Sequence, residues 1–65
     1  MSDSVENEPL VNAAAIAEMI GVPLGTIHQL VHKRRIPHIR LGRRFVRFSR
    51  ADVRAWLEAR RVAPV

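Results

Sequence analysis

The sequence contains no cysteine among its 65 residues. This absence excludes a disulfide framework and a zinc site with thiolate ligands, so the fold must depend on apolar packing. No hydrophobic run approaches the roughly 18 residues that a membrane-spanning helix needs. The N-terminal segment also lacks the basic start and apolar core of a signal peptide. We therefore expect one small intracellular domain, located in the cytoplasm and without a membrane partner.

Acidic residues are nearly missing beyond Glu18, where only Asp52 and Glu58 remain. His28 and His32 have the i, i+4 spacing of a zinc pair, but no cysteine and no neighbouring acid could complete the site. No nucleophile lies beside a base in a recognisable arrangement. We expect no metal, no cofactor and no enzymatic activity.

The distribution of charge is uneven, and the net charge is +5. Residues 1–18 carry four acids and no base, whereas residues 33–50 carry eight bases and no acid. Seven of those eight bases are arginine, which forms bidentate contacts with phosphate or guanine. The stretch predicts binding of a polyanion, with a merely solvated basic surface as the alternative.

Residues 1–9 are polar and acidic and predict a disordered leader. The first helix is expected to begin after Asn12, a good N-cap residue, and to end at Gly21. A second helix is predicted from about Leu24 to Lys33, with Pro23 tolerated at its first position. The apolar residues of both helices recur at helical spacing; they are Ala13, Ile16, Ala17, Ile20, Ile27, Leu30 and Val31.

An alternating segment from His38 to Leu41 and a returning one from Arg44 to Phe48 predict a β-hairpin. Gly42-Arg43 is the expected tight turn between them. We expect Val46 and Phe48 to join the core with Ile39 and Leu41. Phe45 would then point the other way unless a bulge rotates it, and the sequence leaves its orientation open.

A third helix is expected after Ser49, whose hydroxyl and Asp52 form a capping pair. Its apolar stripe is Val53, Trp56 and Leu57, with Trp56 expected to contribute most to the core. The folded domain would span residues 10–62, and residues 63–65 would be a frayed tail. The fold class is mainly α with one small hairpin.

Two short helices joined by a glycine-containing three-residue turn fit the helix-turn-helix pattern. The second helix of that motif lies in the major groove of DNA. The arginine-rich hairpin that follows can contact the backbone or the minor groove, as a wing does.

Residues 10–58 resemble the excisionase-type, MerR-like helix-turn-helix domains. The resemblance is carried by four stretches in order: Val11 to Val22, Thr26 to Val31, Ile36 to Arg44, and Arg47 to Leu57. It implies a winged helix-turn-helix fold. It also implies a phage or mobile-element protein that binds repeated double-stranded DNA sites, bends the DNA and directs a site-specific integrase toward excision. Cooperative self-association on DNA and an integrase partner follow from it as expectations.

Three positions depart from the family pattern. Pro23 stands where relatives often have a capping Ser, and Leu24-Gly25 replaces the usual Arg and Ser. Arg34-Arg35 occupies a turn that usually holds Gly, so we expect the end of the second helix to be strained or irregular. Base contacts are therefore expected to shift toward Thr26, His28 and Gln29.

The candidate DNA contacts lie on the second helix and the hairpin. Gln29 suits bidentate pairing with adenine, and Gly25 would let the backbone approach closely. Arg43 and Arg44 are the expected contacts of the hairpin tip with phosphate or the minor groove. The remaining candidates are expected at bases or the DNA backbone: Thr26, His28, His32, Lys33, Arg34, Arg35, Arg40 and Arg47, with Arg40 and Arg47 on the outer hairpin face. Arg50 and Arg54 are candidates for phosphate or another protein.

Two other functions stay open at this point. A small transcriptional regulator of the same fold would also bind specific DNA, but at promoters. A protein–protein adaptor with a basic docking face would bind DNA weakly and without sequence preference. We expect no effector-binding or coiled-coil domain after the third helix, which favours the excisionase-like role.

Overall fold

The computed structural model describes residues 9–62. The helices are α1 (Ala13–Ile20), α2 (Leu24–His32) and α3 (Arg50–Ala59), and the strands are β1 (Ile39–Arg40) and β2 (Val46–Arg47). This order confirms the predicted winged helix-turn-helix fold. The predicted leader, apart from Pro9, and the predicted tail at 63–65 lie outside the described residues.

Both ends of α1 are set by the residues that the sequence indicated. The Asn12 side chain accepts a hydrogen bond from the Ala15 amide at 2.9 Å, which satisfies one of the free donors of the first turn. Gly21 has φ +87°, and the amides of Gly21 and Val22 donate to the Ala17 carbonyl at 2.8 and 3.0 Å. This Schellman-type ending stops the helix sharply and satisfies a terminal carbonyl.

The turn between α1 and α2 bends the chain by 113°, inside the range of helix-turn-helix motifs. Pro23 is the N-cap of α2, which corrects its expected place at the first helical position. Its ψ of 151° is extended, and its carbonyl accepts from the Thr26 amide at 3.0 Å. Proline cannot cap with its side chain, so only the backbone forms this helix start.

The end of α2 is irregular, as predicted. The helix stops at His32, with Lys33 as its C-cap. Arg34 has φ +57° and is the one non-glycine residue with positive φ in the described chain. The Arg34 amide donates to the Val31 carbonyl at 2.9 Å, and the Arg35 amide to Leu30 at 2.8 Å. Arg34 therefore holds the Schellman position that glycine usually fills, at a cost of about 1–2 kcal/mol.

The hairpin closes with a three-residue loop, which corrects the predicted two-residue turn at Gly42-Arg43. The Leu41 amide donates to the Phe45 carbonyl at 2.7 Å, leaving residues 42–44 in the loop. The strands pair Ile39 with Arg47 and Arg40 with Val46. Outside the hairpin, Val11 and Phe48 exchange two backbone hydrogen bonds of 2.9 and 2.8 Å, which tie β2 to the start of α1.

The extra loop residue shifts the register by one and moves Leu41 away from the core. A two-residue turn would have paired Ile39 with Val46, whereas in the structure Ile39 lies opposite Arg47. Paired residues share a side of the sheet, and successive residues along a strand point to opposite sides. Since Arg40 pairs with Val46, the next pair, Leu41 and Phe45, lies on the side away from Val46. Leu41 is 62% exposed and Phe45 59% exposed. The prediction that Ile39 and Leu41 join the core was wrong, because both lie on the side away from Val46, and Phe45 points outward without a bulge.

The core lies where the three helices meet β2, and its largest fully buried side chain is Phe48. Its members are Ile16, Ala17, Ile27, Ile36, Phe48 and Val53. Trp56 is only half-buried and lies under the Arg60 guanidinium, 4.4 Å from the ring centre, so it is not the main core residue that we predicted. The Ser49 cap of α3 is confirmed by a 3.3 Å hydrogen bond from the Asp52 amide.

No single helix within residues 9–62 is long and apolar enough to cross a membrane. The first two helices reach such a length only as a pair, and they are bent sharply against each other.

Candidate nucleic-acid interface

The side of α2 that faces away from the core is polar and open to solvent. Ile27 is fully buried, and Leu30 and Val31 pack against the core, so the opposite side of the helix is free. The predicted contact residues on that helix are all exposed; they are Gly25, Thr26, His28, Gln29 and His32. None of them is needed for the core, which leaves their side chains available to a partner.

A groove of about 530 Å³ separates α2 from the hairpin. The helix contributes Leu24, His28, Val31 and His32 to one wall. The hairpin contributes Arg40, Arg43, Arg44, Val46 and Arg47 to the other. His28 and His32 of α2 and the arginine-rich hairpin therefore border the same opening.

The walls of this groove carry strong positive charge. Four of its lining residues are arginines of the hairpin, and the lining contains no acid. None of the eight cations between positions 33 and 50 forms an ion pair with an acid of residues 9–62. No acid of the described residues pairs with these arginines, so they raise a positive potential that attracts a polyanion.

The two strand arginines both line the groove, although they lie on different sides of the hairpin. Arg40 is opposite Val46, on the core side of the hairpin, although its side chain is exposed; the expected outer-face position was wrong. Arg47 is half-buried, and its Nη1 donates to the Val46 carbonyl at 2.9 Å. A guanidinium has five N–H donors, so Arg47 retains donors for a phosphate.

Other predicted contacts lie outside the groove lining. Thr26 and Gln29 are exposed along α2 but do not border the groove. Lys33, Arg34 and Arg35 are exposed at the C-terminal end of α2. Together these residues extend the cationic and polar surface along the helix.

Gly25 has no internal reason to be glycine. A Cβ atom built on it would meet no atom within 4 Å, and its φ is not positive. Because glycine in a helix costs about 0.5–1 kcal/mol relative to alanine, the folded chain alone does not account for it. Close approach of another molecule to the N-terminal turn of α2 would account for a glycine at this position.

Sequence reasoning missed one part of the groove. Asn12, Ala13 and Ala14 at the start of α1 line it, together with Leu24, which is 43% exposed. In helix-turn-helix proteins the first helix crosses the DNA backbone. No local sequence signal places the start of α1 beside the hairpin, because the Val11–Phe48 pairing joins segments that are far apart in the chain.

The histidines gather no metal site in the part of the chain that the structure describes. His38 contacts the Ile36 carbonyl through Nδ1 at 2.8 Å. This contact stabilises the turn that leads into β1, so His38 has a local structural role.

A family model described as a helix-turn-helix domain matches residues 10–61. The match covers the three helices and the hairpin. No curated protein and no solved structure matches the chain.

Proposed function

The chain belongs to the helix-turn-helix domain family, a family of DNA-binding proteins, and from that premise we propose that it is an excisionase-like architectural protein. In this role it binds specific double-stranded DNA at repeated sites, cooperatively, and bends it to direct integrase-mediated excision. One observation carries the proposal: His28 and His32 on the exposed side of α2 and the arginine-rich hairpin border one cationic groove.

The α2 helix reads the bases. Gln29 pairs with adenine in the major groove, while Thr26, His28 and His32 contact neighbouring bases or phosphates. The bare backbone at Gly25 lets the N-terminal turn approach the DNA. The exposure of these side chains and the open space around Gly25 support this assignment.

The hairpin acts as a wing that holds the DNA backbone. Arg43 and Arg44 in its loop contact phosphates or the adjacent minor groove, and Arg40 and Arg47 contact phosphates beside them. At the far end of α2, Lys33, Arg34 and Arg35 meet the backbone on the opposite flank. These contacts position the protein, whereas α2 supplies the selectivity.

Several copies act together on neighbouring sites. A nine-residue recognition helix and one short wing reach few base pairs, so useful selectivity requires more than one copy on repeated sites. We place the protein in the cytoplasm of a bacterial cell or a phage-infected host, with an integrase as its protein partner. Its role there is structural, without catalysis.

The first test is selection from a random-sequence duplex pool by the intact chain, followed by binding measurements at fixed salt. We expect one enriched motif and an affinity at least a hundredfold above that for a scrambled duplex, because specific binding commonly exceeds non-specific binding by 10³ or more. Equal affinity for both duplexes would contradict sequence-specific binding and favour a basic adaptor.

The second test addresses the excisionase-like role. Footprinting across the genomic DNA around the gene should reveal tandem sites in the attachment site of a neighbouring integrase, bound more tightly per copy than one isolated site. Purified integrase should form more excision product when the protein is added. Footprints confined to a promoter, with unchanged excision, would instead indicate a transcriptional regulator.

A further inference from the structure

The outer face of the hairpin carries two large apolar side chains that the core does not use. Leu41 and Phe45 are 62% and 59% exposed, although both are strand-flanking residues of a small chain with few aromatic side chains. They lie directly opposite each other, since the Leu41 amide donates to the Phe45 carbonyl at 2.7 Å. The two side chains therefore form one apolar pair at the base of the loop.

The apolar pair is attached to the arginine loop. A Cβ atom placed on Gly42 would lie 3.6 Å from Cδ2 of Phe45, so the aromatic ring lies against the first residue of the loop. Arg43 and Arg44 follow immediately. A surface that the loop arginines contact at the tip or from the outer side of the hairpin thus comes within reach of Phe45 and Leu41.

The surrounding charge decides what can cover this pair. No acid occurs between positions 19 and 51, and the whole chain has a net charge of +5. A second copy carries the same net positive charge, so overall repulsion opposes its approach to the arginine loop. A DNA groove instead offers phosphates to Arg43 and Arg44 and apolar base faces to Leu41 and Phe45 on either side of the loop.

We propose that Leu41 and Phe45 form a wedge that enters the minor groove beside the loop arginines and partly unstacks one base step. This inference rests on the proposed function, because it requires that the hairpin is a DNA-contacting wing. Minor-groove proteins that insert Phe or Leu between base pairs kink the duplex by about 20–90°. The wedge would therefore be a source of DNA bending within a single copy.

The test uses a duplex that carries one copy of the motif selected by the intact chain. End-to-end fluorescence energy transfer reports the bend, and 2-aminopurine placed at successive steps reports unstacking. For the unaltered chain we expect a bend and one bright 2-aminopurine position at the wing. Phe45→Ala should lose that signal and most of the bend and should bind about tenfold more weakly, since stacking on an aromatic ring contributes strongly to affinity.

Matched variants separate the wedge from other roles. Phe45→Leu keeps an apolar side chain and should retain much of the bend, and Leu41→Ala should reduce it. Val62→Ala removes an apolar side chain that is 90% exposed and lies outside the groove, and it should change neither signal. The melting temperatures of these variants should stay close to that of the unaltered chain, because the altered residues are largely exposed.

Two results would overturn the wedge. If Phe45→Ala leaves the single-site bend intact but abolishes cooperativity on tandem sites, the pair is a contact between copies. If bend, unstacking and affinity are all unchanged, the pair has no role in DNA binding. Both results differ from failure of the proposed function, in which the unaltered chain itself would not prefer its selected duplex.

Discussion

His28 on α2 and Arg44 in the hairpin loop line the same groove, although sixteen positions separate them in the sequence. The juxtaposition depends on two features of the backbone. The Schellman turn at Arg34 reverses the chain after α2, and the Val11–Phe48 hydrogen bonds fix β2 against the start of α1. The α2 helix and the basic hairpin are thus held in one orientation by the fold.

Removing a loop arginine should weaken binding to every DNA sequence by a similar factor. Arg43→Ala removes one proposed phosphate contact, so the slope of log K against log salt should become shallower by about 0.9. Fluorescence anisotropy over a salt series on selected and scrambled duplexes measures both effects. Arg61→Ala is the matched control, since Arg61 lies outside the groove and pairs with Glu58 at 3.7 Å. An unchanged salt slope for Arg43→Ala would remove Arg43 from the interface.

Replacing Gln29 should alter selectivity more than overall affinity. Gln29→Ala removes the proposed adenine contact, so discrimination at that base pair should fall by about 1–3 kcal/mol. Binding to a panel of duplexes that differ at single positions measures this change. A uniform loss over the whole panel would show that Gln29 contacts only the backbone.

Adding a methyl group at Gly25 should change stability and DNA affinity in opposite directions. Gly25→Ala should raise the free energy of unfolding by about 0.5–1 kcal/mol, because the helix gains propensity and the new Cβ meets no atom. The same variant should bind the selected duplex more weakly, because the methyl group occupies the space that the DNA approaches. Chemical denaturation and anisotropy give the two values. Unchanged binding in a stabilised variant would show that DNA does not approach Gly25.

Relieving the positive φ at Arg34 should stabilise the domain. Arg34→Gly should raise the free energy of unfolding by about 1 kcal/mol, since glycine adopts this conformation without strain. Arg35→Gly removes the same charge at a residue without positive φ, so it should bring no such gain. Equal stability changes in the two variants would show that the strain at Arg34 is negligible.

Local signals in the sequence predicted most of the fold. Asn12, Gly21 and Ser49 mark helix ends because each forms a backbone contact within a few residues, and the unusual turn at Arg34 was indicated by the missing glycine. These features depend on contacts between residues a few positions apart, so one sequence is enough to predict them.

The hairpin register could not be obtained in this way. The alternation from His38 to Phe48 fits a two-residue or a three-residue loop equally well, and one residue of difference moves Leu41 from the core to the surface. Likewise, residue size favoured Trp56 as the main core residue, whereas the tertiary arrangement buries Phe48. The contribution of Asn12 to the groove also depends on that arrangement, because α1 and the hairpin are distant in sequence.

The most direct test of the interface is an NMR titration of the isotope-labelled chain with its selected duplex. We expect the largest amide shift changes at residues 24–33 and 40–47, which carry the exposed face of α2 and the wing, and only small changes over Ala55–Glu58 on α3. Large changes on α3, with the amides of α2 and the hairpin unmoved, would contradict the account.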